Sequence, residues 1–366
     1  MTGGATTRAL VATAPKAAPE VTDIVLPDLP RDGVRVKLLH AGICHSDLSM
    51  IDGTVVPEFP VVLGHEAAGE VLEVGPDVSD LAAGTRVALN WSPPCRSCWN
   101  CRNDEPWLCT ANGGVSQPYG SLLDGTPLNM ALAVGAFAEQ AVVQRRAVVP
   151  LPEGIATDVA ALMSCAVLTG VGAVRNTAKV RSGQSVAVFG LGGVGLSAIL
   201  GAQLAGAHPI IGIDVNESKA ATAKRAGATD FVVFDDQVVR AIRRLTDRRG
   251  VDHAFECVGR PATIEASWAS TRRGGNCVVL GVGALSETVS LRAMEIHHYG
   301  RTLQASVRGS SDSERDIPIL ADLVRAEKLD LEQLISHRIS LDEAPAAFDR
   351  MRAGQGVRSV IEFAGT

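Results

Sequence analysis

The stretch Ser185-Val186-Ala187-Val188-Phe189-Gly190-Leu191-Gly192-Gly193-Val194-Gly195 settles the architecture of one half of this chain. A short apolar run ends on G-x-G-x-x-G and opens into a helical pattern over residues 193–206. That order describes a buried strand, a phosphate-binding turn and a helix. Gly190 permits the tight turn, Gly192 lets a pyrophosphate approach the backbone, and Gly195 lets helix and strand pack closely; Gly193 and Val194 complete the loop. The pyrophosphate then rests at a helix N-terminus, where free N–H groups and the dipole favour an anion. Asp214 closes the next strand, residues 209–214, nineteen residues past Gly195. A carboxylate there accepts hydrogen bonds from ribose hydroxyls and repels a 2′-phosphate, which favours NAD over NADP. Lys219 either reaches the same ribose or lies on a helix surface.

Working outward, strand and helix continue to alternate: a helix at 218–226 and strands at 231–234, 253–257 and 276–280. This predicts a doubly wound parallel sheet over residues 167–308. Before it the texture is different. Short β-rich runs at 34–39, 67–74, 86–89 and 137–143 are broken by Gly and Pro, as in an irregular, mostly antiparallel β domain. A helix at 316–326, a segment at 335–339, a helix at 344–352 and a strand at 359–363 follow the alternating region. We assign that tail to the first domain, residues 1–166 with 309–366. With 366 residues, two domains are the natural expectation.

Hydrophobic residues make up 46% of the chain and charged residues 20%, ordinary globular usage. A net charge of −6 offers no broad positive field for a polyanion, and the arginines of residues 240–249 are interrupted at helical spacing, so no nucleic-acid partner is expected. The N-terminal apolar stretch is too short for a signal peptide. The longest apolar runs, 159–174 and 186–202, fall short of a membrane span, so neither export nor a membrane is expected. Six of the eight cysteines fall at metal-ligand positions, and a reducing cytoplasm fits them better than a disulfide framework does.

Cys95-Arg96-Ser97-Cys98-Trp99-Asn100-Cys101, closed by Cys109, reads C-x2-C-x2-C-x7-C, the spacing of a closed tetrahedral zinc site. A zinc-ribbon binding module would want basic neighbours, and Asp104 and Glu105 deny it a positive face. Cys44, His65 and Cys165 are far apart in sequence. They suit a catalytic zinc with one open position, but a buried core thiol and a hydrogen-bonded loop histidine read equally well. Cys257 and Cys277 fall in predicted strands as core residues.

Gly42-Ile43-Cys44-His45-Ser46-Asp47, Gly64-His65-Glu66-Ala67-Ala68-Gly69, the four-thiol lobe, and the glycine loop with Asp214 together resemble the zinc-dependent medium-chain alcohol dehydrogenases, from about residue 7 to 363. The resemblance implies a GroES-like catalytic domain joined to a Rossmann domain, an active site in the cleft between them, NAD, and two zinc ions per subunit. It implies Cys44, His65 and Cys165 as catalytic-zinc ligands, and Cys165 argues against the polyol branch. Asp47 corresponds to the carboxylate that orients the ligand histidine, Glu66 to the acid behind the metal, and Ser46 to the hydroxyl that takes the alcohol proton while hydride leaves a zinc-stabilised alkoxide for the nicotinamide. Ser49 stands where the family's relay often has a histidine. His45 and Arg358 correspond to basic positions near the pyrophosphate, with a loop histidine and a surface arginine as alternatives. Thr169 and Val194 correspond to residues against the nicotinamide.

The implied substrate pocket is Trp91, Ala131, Leu132, Val282 and Val307, a roomy apolar slot for aryl, allylic or longer primary alcohols, although each also suits core packing. Glutathione-dependent relatives use an arginine soon after the lobe, and no Arg or Lys lies between Cys109 and Gln144. A mycothiol-type S-hydroxymethyl adduct is the alternative, suggested by Leu89-Asn90-Trp91 and by 28 Arg against 6 Lys. The segment 113–135 resembles the insertion of dimeric forms, which implies a homodimer through the Rossmann sheets, with a tetramer as the alternative.

Overall fold

A computed structural model describes residues 5–363. They divide into two compact units, one running to Cys165 and resuming at Asp312, the other Ala166–Ser311.

In the first unit the strand Gly33–Gly42 is the spine of a seven-stranded sheet. It pairs with Glu66–Val74, Gln140–Gln144 and Arg358–Glu362, and the sheet continues through Arg86–Leu89 and Val148–Pro150 on one side and Ile335–Ile339 on the other. The spine is buried at eight of its ten positions, so its run of Val, Leu and Ala meets core on both faces. The last strand runs antiparallel to it, Val360 opposite Gly42. A closed barrel of Thr6–Ala12, Glu20–Val25, Ser116–Leu122, Pro127–Ala131 and Val61–Val62 completes the unit. Its hairpin over 116–131 occupies the segment read from sequence only as an insertion.

Phe137 was expected to open a strand. It lies instead in the loop before Gln140–Gln144, fully buried, with its ring 6.4 Å from that of Phe348. Its N–H donates to Leu63 O. The approach is close because Gly64, at φ 96°, has no Cβ; one placed there would lie 2.5 Å from the Phe137 backbone nitrogen. Gly64 therefore turns the chain tightly just before His65.

The second unit is a six-stranded parallel sheet in the order Asp230–Val233, Ile210–Asp214, Val186–Phe189, Val251–Glu256, Thr271–Val279, Thr302–Ala305. The order reverses at Val186–Phe189, which places the glycine loop at the switch point where such sheets take nucleotides. The expected helix over 218–226 is split: Asn216 caps a 3₁₀ turn, Glu217–Lys219, ahead of a helix, Ala220–Arg225.

One helical stretch, Thr157–Thr177, is long and apolar enough to cross a membrane, longer than the run read from sequence. It is a core helix, with 89% of its apolar window buried inside the protein. Two π turns interrupt it, Met163–Val167 and Ala173–Thr177.

Candidate active site

Cys44 caps the helix His45–Ile51. Its N–H donates to Asp47 Oδ2 at 3.1 Å, the reciprocal arrangement of a capping box with the acid at the third helical position. The other oxygen, Oδ1, accepts from the Gly64 N–H at 3.1 Å and lies 3.0 Å from His65 Nδ1. Asp47 is 0% exposed, so these donors answer its charge. One carboxylate thus locks the start of a helix to the glycine turn and fixes His65 with Nδ1 as donor, leaving Nε2 as the open lone pair. Nε2 has no hydrogen-bond partner among the described residues. The Trp91 ring meets this imidazole edge-on, centroids 5.9 Å apart at 77°.

The first π turn carries Cys165, and the strand beginning at Glu66 carries the fourth donor. Ligand atoms of Cys44, His65, Glu66 and Cys165 all lie within 4.8 Å of one another, and all four residues are buried. Gly42 makes room for the carboxylate, since a Cβ there would come 2.4 Å from Glu66 Oε2. Arg358 stands behind Glu66. It was expected from the resemblance near a pyrophosphate, and it is 4% exposed here, with Nη1 donating to Ile43 O at 2.8 Å and Nη2 3.2 Å from Glu66 Oε1. The pairing of Arg358 with Glu66, far apart in sequence, escaped the sequence reading, because no local pattern links the last strand to the acid that opens the strand Glu66–Val74.

The electrostatics of the four are those of a site built for a cation. The neighbouring Cys165 sulfur, helped by Arg358 and His65 against burial, holds the Cys44 thiol well below its ordinary range, and Cys44 together with burial drives Cys165 well above it. Burial raises the Glu66 carboxyl to about 8 against the pull of Arg358. Burial also pulls His65 down, but Asp47 and Cys44 outweigh it and carry the imidazole well above its usual value. Protons held this way are what a dication displaces. Two thiols, an open imidazole nitrogen and a carboxylate fit zinc in chemistry and number. At the rim, Ser46 is partly exposed with Oγ 3.8 Å from the Cys44 sulfur, Ser49 is partly exposed, and His45 is exposed. Ala131 is fully buried in the core against which Trp91 and Leu132 pack, and Leu132 adopts φ 47°.

The lobe makes a second set. The sulfurs of Cys95, Cys98, Cys101 and Cys109 lie within 4.8 Å of one another on a partly exposed segment. Backbone N–H groups point at them: Cys98 N to Cys95 Sγ at 3.2 Å, Cys95 N to Cys109 Sγ at 3.2 Å and Ala111 N to Cys109 Sγ at 3.4 Å. Such donors favour thiolate. The Ser97 hydroxyl and N–H hold Cys95 at about 5, while burial and Cys98 raise Cys101 to about 12. Arg96 anchors the lobe with hydrogen bonds to both oxygens of Asp312 at 2.6 and 2.9 Å and one to Glu314 at 2.6 Å.

In the second unit Gly190 takes φ 87°, and a Cβ on Gly195 would come 1.9 Å from Gly190 O. A Cβ on Gly192 would meet nothing within 4 Å, so the backbone there is open to approach from outside. Gly193 begins the helix Gly193–Leu204. Asp214 Oδ2 accepts from Leu191 N at 2.8 Å and lies 3.1 Å from Lys219 Nζ, so the acid and lysine that sequence placed at the ribose meet at the loop. Thr169 and Val194, both partly exposed, lie on neighbouring helices that approach closely because Gly170 has no side chain; a Cβ there would come 2.4 Å from Val194 O. Val282 and Val307 are 76% and 44% exposed.

Residues 30–153 match the alcohol dehydrogenase GroES-like domain, and residues 193–325 match the zinc-binding dehydrogenase domain. An S-(hydroxymethyl)glutathione dehydrogenase of Escherichia coli O1:K1 / APEC is 36% identical, over 97% of this chain and 99% of its own. The chain belongs to the zinc-dependent medium-chain alcohol dehydrogenase family. Among solved structures, an alcohol dehydrogenase zinc-binding domain protein of Burkholderia ambifaria superposes with a TM-score of 0.92 at 30% identity, covering 98% of this chain and 99% of that one. Benzyl alcohol dehydrogenase of Acinetobacter calcoaceticus superposes at 0.91 and 30% identity, covering 98% of this chain and 100% of that one. As a family member the protein is an NAD-type oxidoreductase with zinc and nicotinamide cofactors, acting on small alcohols and aldehydes, and the expected GroES-like and Rossmann folds are both present.

Proposed function

We propose that this enzyme interconverts aryl or longer primary alcohols and their aldehydes at the buried set of Cys44, His65, Glu66 and Cys165. The observation that carries the reading is His65 held at Nδ1 by Asp47 with Nε2 open toward two thiols. Cys44, His65 and Cys165 are the zinc ligands, Glu66 is a fourth donor backed by Arg358, and the lobe cysteines hold a second zinc. Zinc bound at the first set supplies Lewis acidity that eases loss of the alcohol proton, and NAD supplies the hydride acceptor. Ser46 Oγ, beside Cys44 at the rim, takes that proton. With Ser49 in place of a relay histidine, the proton passes from Ser46 to ribose or water. Gly190, Gly192, Gly193, Val194 and Gly195 cradle the pyrophosphate, Asp214 and Lys219 hold the adenosine ribose, and Thr169 lies against the nicotinamide, while Arg358, buried against Glu66 and Ile43 O, serves the zinc set.

The aryl preference rests on Trp91, whose ring already stands edge-on to the site histidine, and on the likeness to the benzyl alcohol dehydrogenase. The 36% identity to an S-(hydroxymethyl)glutathione dehydrogenase favours a second reading, a formaldehyde–thiol adduct. Against it, the first arginines after the lobe are already engaged: Arg145 with Asp80 and Val148 O, Arg146 with Gln144 and Ala111 O. NADH formation from benzyl alcohol without thiol tests the choice. Turnover supports the alcohol reading, whereas turnover of formaldehyde only with added glutathione or mycothiol would replace it.

We further propose a homodimer through the edge strand Thr302–Ala305, whose outer backbone groups are unpaired by any strand among the described residues; the chain leading into it exposes Leu285, Met294 and Ile296. Light scattering at the mass of one chain would refute it.

A further inference from the structure

The turn Val307–Ser310 runs left-handed at three successive residues, Arg308 (φ 54°), Gly309 (φ 69°) and Ser310 (φ 47°). Two of the three carry side chains, for which this region is costly and normally visited one residue at a time. Such a turn persists only where its surroundings hold it. The holder is the second π turn, Ala173–Thr177. Thr177 Oγ1 lies 2.7 Å from Ser306 Oγ and 2.8 Å from Ser310 Oγ, one residue on each side of the turn's centre. A hydroxyl has one proton to give and lone pairs to accept with, so this one can bridge both serines at once. Asn176 Nδ2 donates to Gly309 O at 3.3 Å and to Ser311 Oγ at 3.0 Å.

The turn is also pressed against the helix Leu168–Gly172. A Cβ on Gly309 would come 2.4 Å from Leu168 O and 2.8 Å from Thr169 O, and one on Gly172 would come 2.6 Å from Gly309 O. Three features therefore coincide: a strained turn that carries Val307, the backbone of Thr169, and a π turn, a feature that collects at functional sites.

We propose that Thr177 is a positioning residue for hydride transfer: its hydroxyl pins both ends of the left-handed turn and so sets Val307 for the substrate and Thr169 for the nicotinamide end of the cofactor. This rests on the reading above that NAD occupies the glycine loop with its ring beside Thr169. Because the pyrophosphate is held separately, at Gly190–Gly195, the pin governs the geometry of the reacting end and leaves cofactor retention largely alone.

The test uses the zinc-loaded full chain with Thr177→Val, which keeps the shape and removes the hydroxyl, and Thr177→Ser, which keeps the hydroxyl. In Thr177→Val, kcat for benzyl alcohol should fall about 10- to 100-fold, the scale of a small misplacement of reacting groups. The primary isotope effect with benzyl alcohol deuterated at the reacting carbon should rise, while NADH affinity by fluorescence titration changes less than about threefold. Thr177→Ser should behave as the parent. Parent-like kcat and isotope effect in Thr177→Val would overturn the proposal.

Amide exchange of residues 302–311 in the NADH complex gives a readout independent of substrate. Faster exchange in Thr177→Val but not in Thr177→Ser supports the pin, and unchanged exchange refutes it. If Thr177→Val does not fold, Ser310→Ala, which cuts one end of the bridge, carries the same readouts. Gly192→Val separates the two readings. If it still binds NADH as the parent does, the cofactor site is wrong; if it loses NADH while Thr177→Val stays parent-like, only the pin is wrong.

Discussion

The buried set of Cys44, His65, Glu66 and Cys165 is gathered from a helix cap, a strand start and a π turn, whereas the lobe set of Cys95, Cys98, Cys101 and Cys109 comes from one partly exposed segment. Both place four donor atoms within 4.8 Å. They differ in chemistry and in who holds them. The lobe offers four sulfurs steadied by its own backbone N–H groups, which suits a closed ion that acts as a local clasp. The buried set mixes two thiols, an imidazole and a carboxylate, the last two steadied by partners from other segments: Asp47 for His65, Arg358 for Glu66. A mixed set in which the carboxylate has a second partner can release one position to a substrate. Equal donor count therefore does not mean equal role.

The strongest way to break this contrast is to remove one thiol from each set. Cys44→Ser should abolish turnover and lower zinc from two ions per chain to one while the fold survives; elemental analysis beside a turnover assay reads both. Cys109→Ser should also lose one zinc but act on stability, lowering Tm by roughly 4–8 °C, about 2 kcal/mol for a protein of this kind, with kcat per folded molecule nearly kept. Interchanged phenotypes would show that the roles have been assigned backwards.

Asp47→Asn sharpens the contrast at the next level. It keeps the shape of the cap but weakens the orientation of His65, and should cost about 10- to 100-fold in activity or zinc affinity at the buried set, with the lobe zinc unaffected. The smallest effect is a labelling difference in zinc-free protein. A thiol held at about 5 is thiolate at neutral pH, so Cys95 should react with iodoacetamide at pH 7 and slow as pH falls through about 5; Cys101, raised to about 12, should stay unlabelled until strongly alkaline pH. Peptide mass spectrometry showing equal labelling of the two would mean that Ser97 does not polarise the lobe.

How far each set could be read in advance follows the same division. The lobe was legible from spacing alone, because all its ligands lie within one short run that has few ways to fold around an ion. The glycine loop was legible as well: strand, G-x-G-x-x-G, helix and Asp214 are consecutive, and each step is local chemistry. The buried set was not. Cys165 in an apolar helix looks like a core thiol until the fold brings it beside Cys44, and only a resemblance, not periodicity, grouped the two with His65. Phe137 was misread as strand because an apolar run carries no sign that Gly64 will let it pack as a loop. The hairpin over 116–131 was missed for a related reason, since Gly120 and Pro118 mask its alternation.

By itself the sequence determined the parallel nucleotide sheet, its switch-point loop, the acid at its second strand and the four-thiol lobe, all of them encoded within runs short enough that sterics and hydrogen bonding decide them locally. Only the tertiary structure decided that Arg358 backs Glu66, that Gly42 opens the space for that carboxylate, that Asp47 leaves His65 Nε2 open, and that Thr177 bridges Ser306 and Ser310. Those are contacts between segments that no local rule links. They exist because burial leaves each polar group to find its partner wherever the packed chain has brought one.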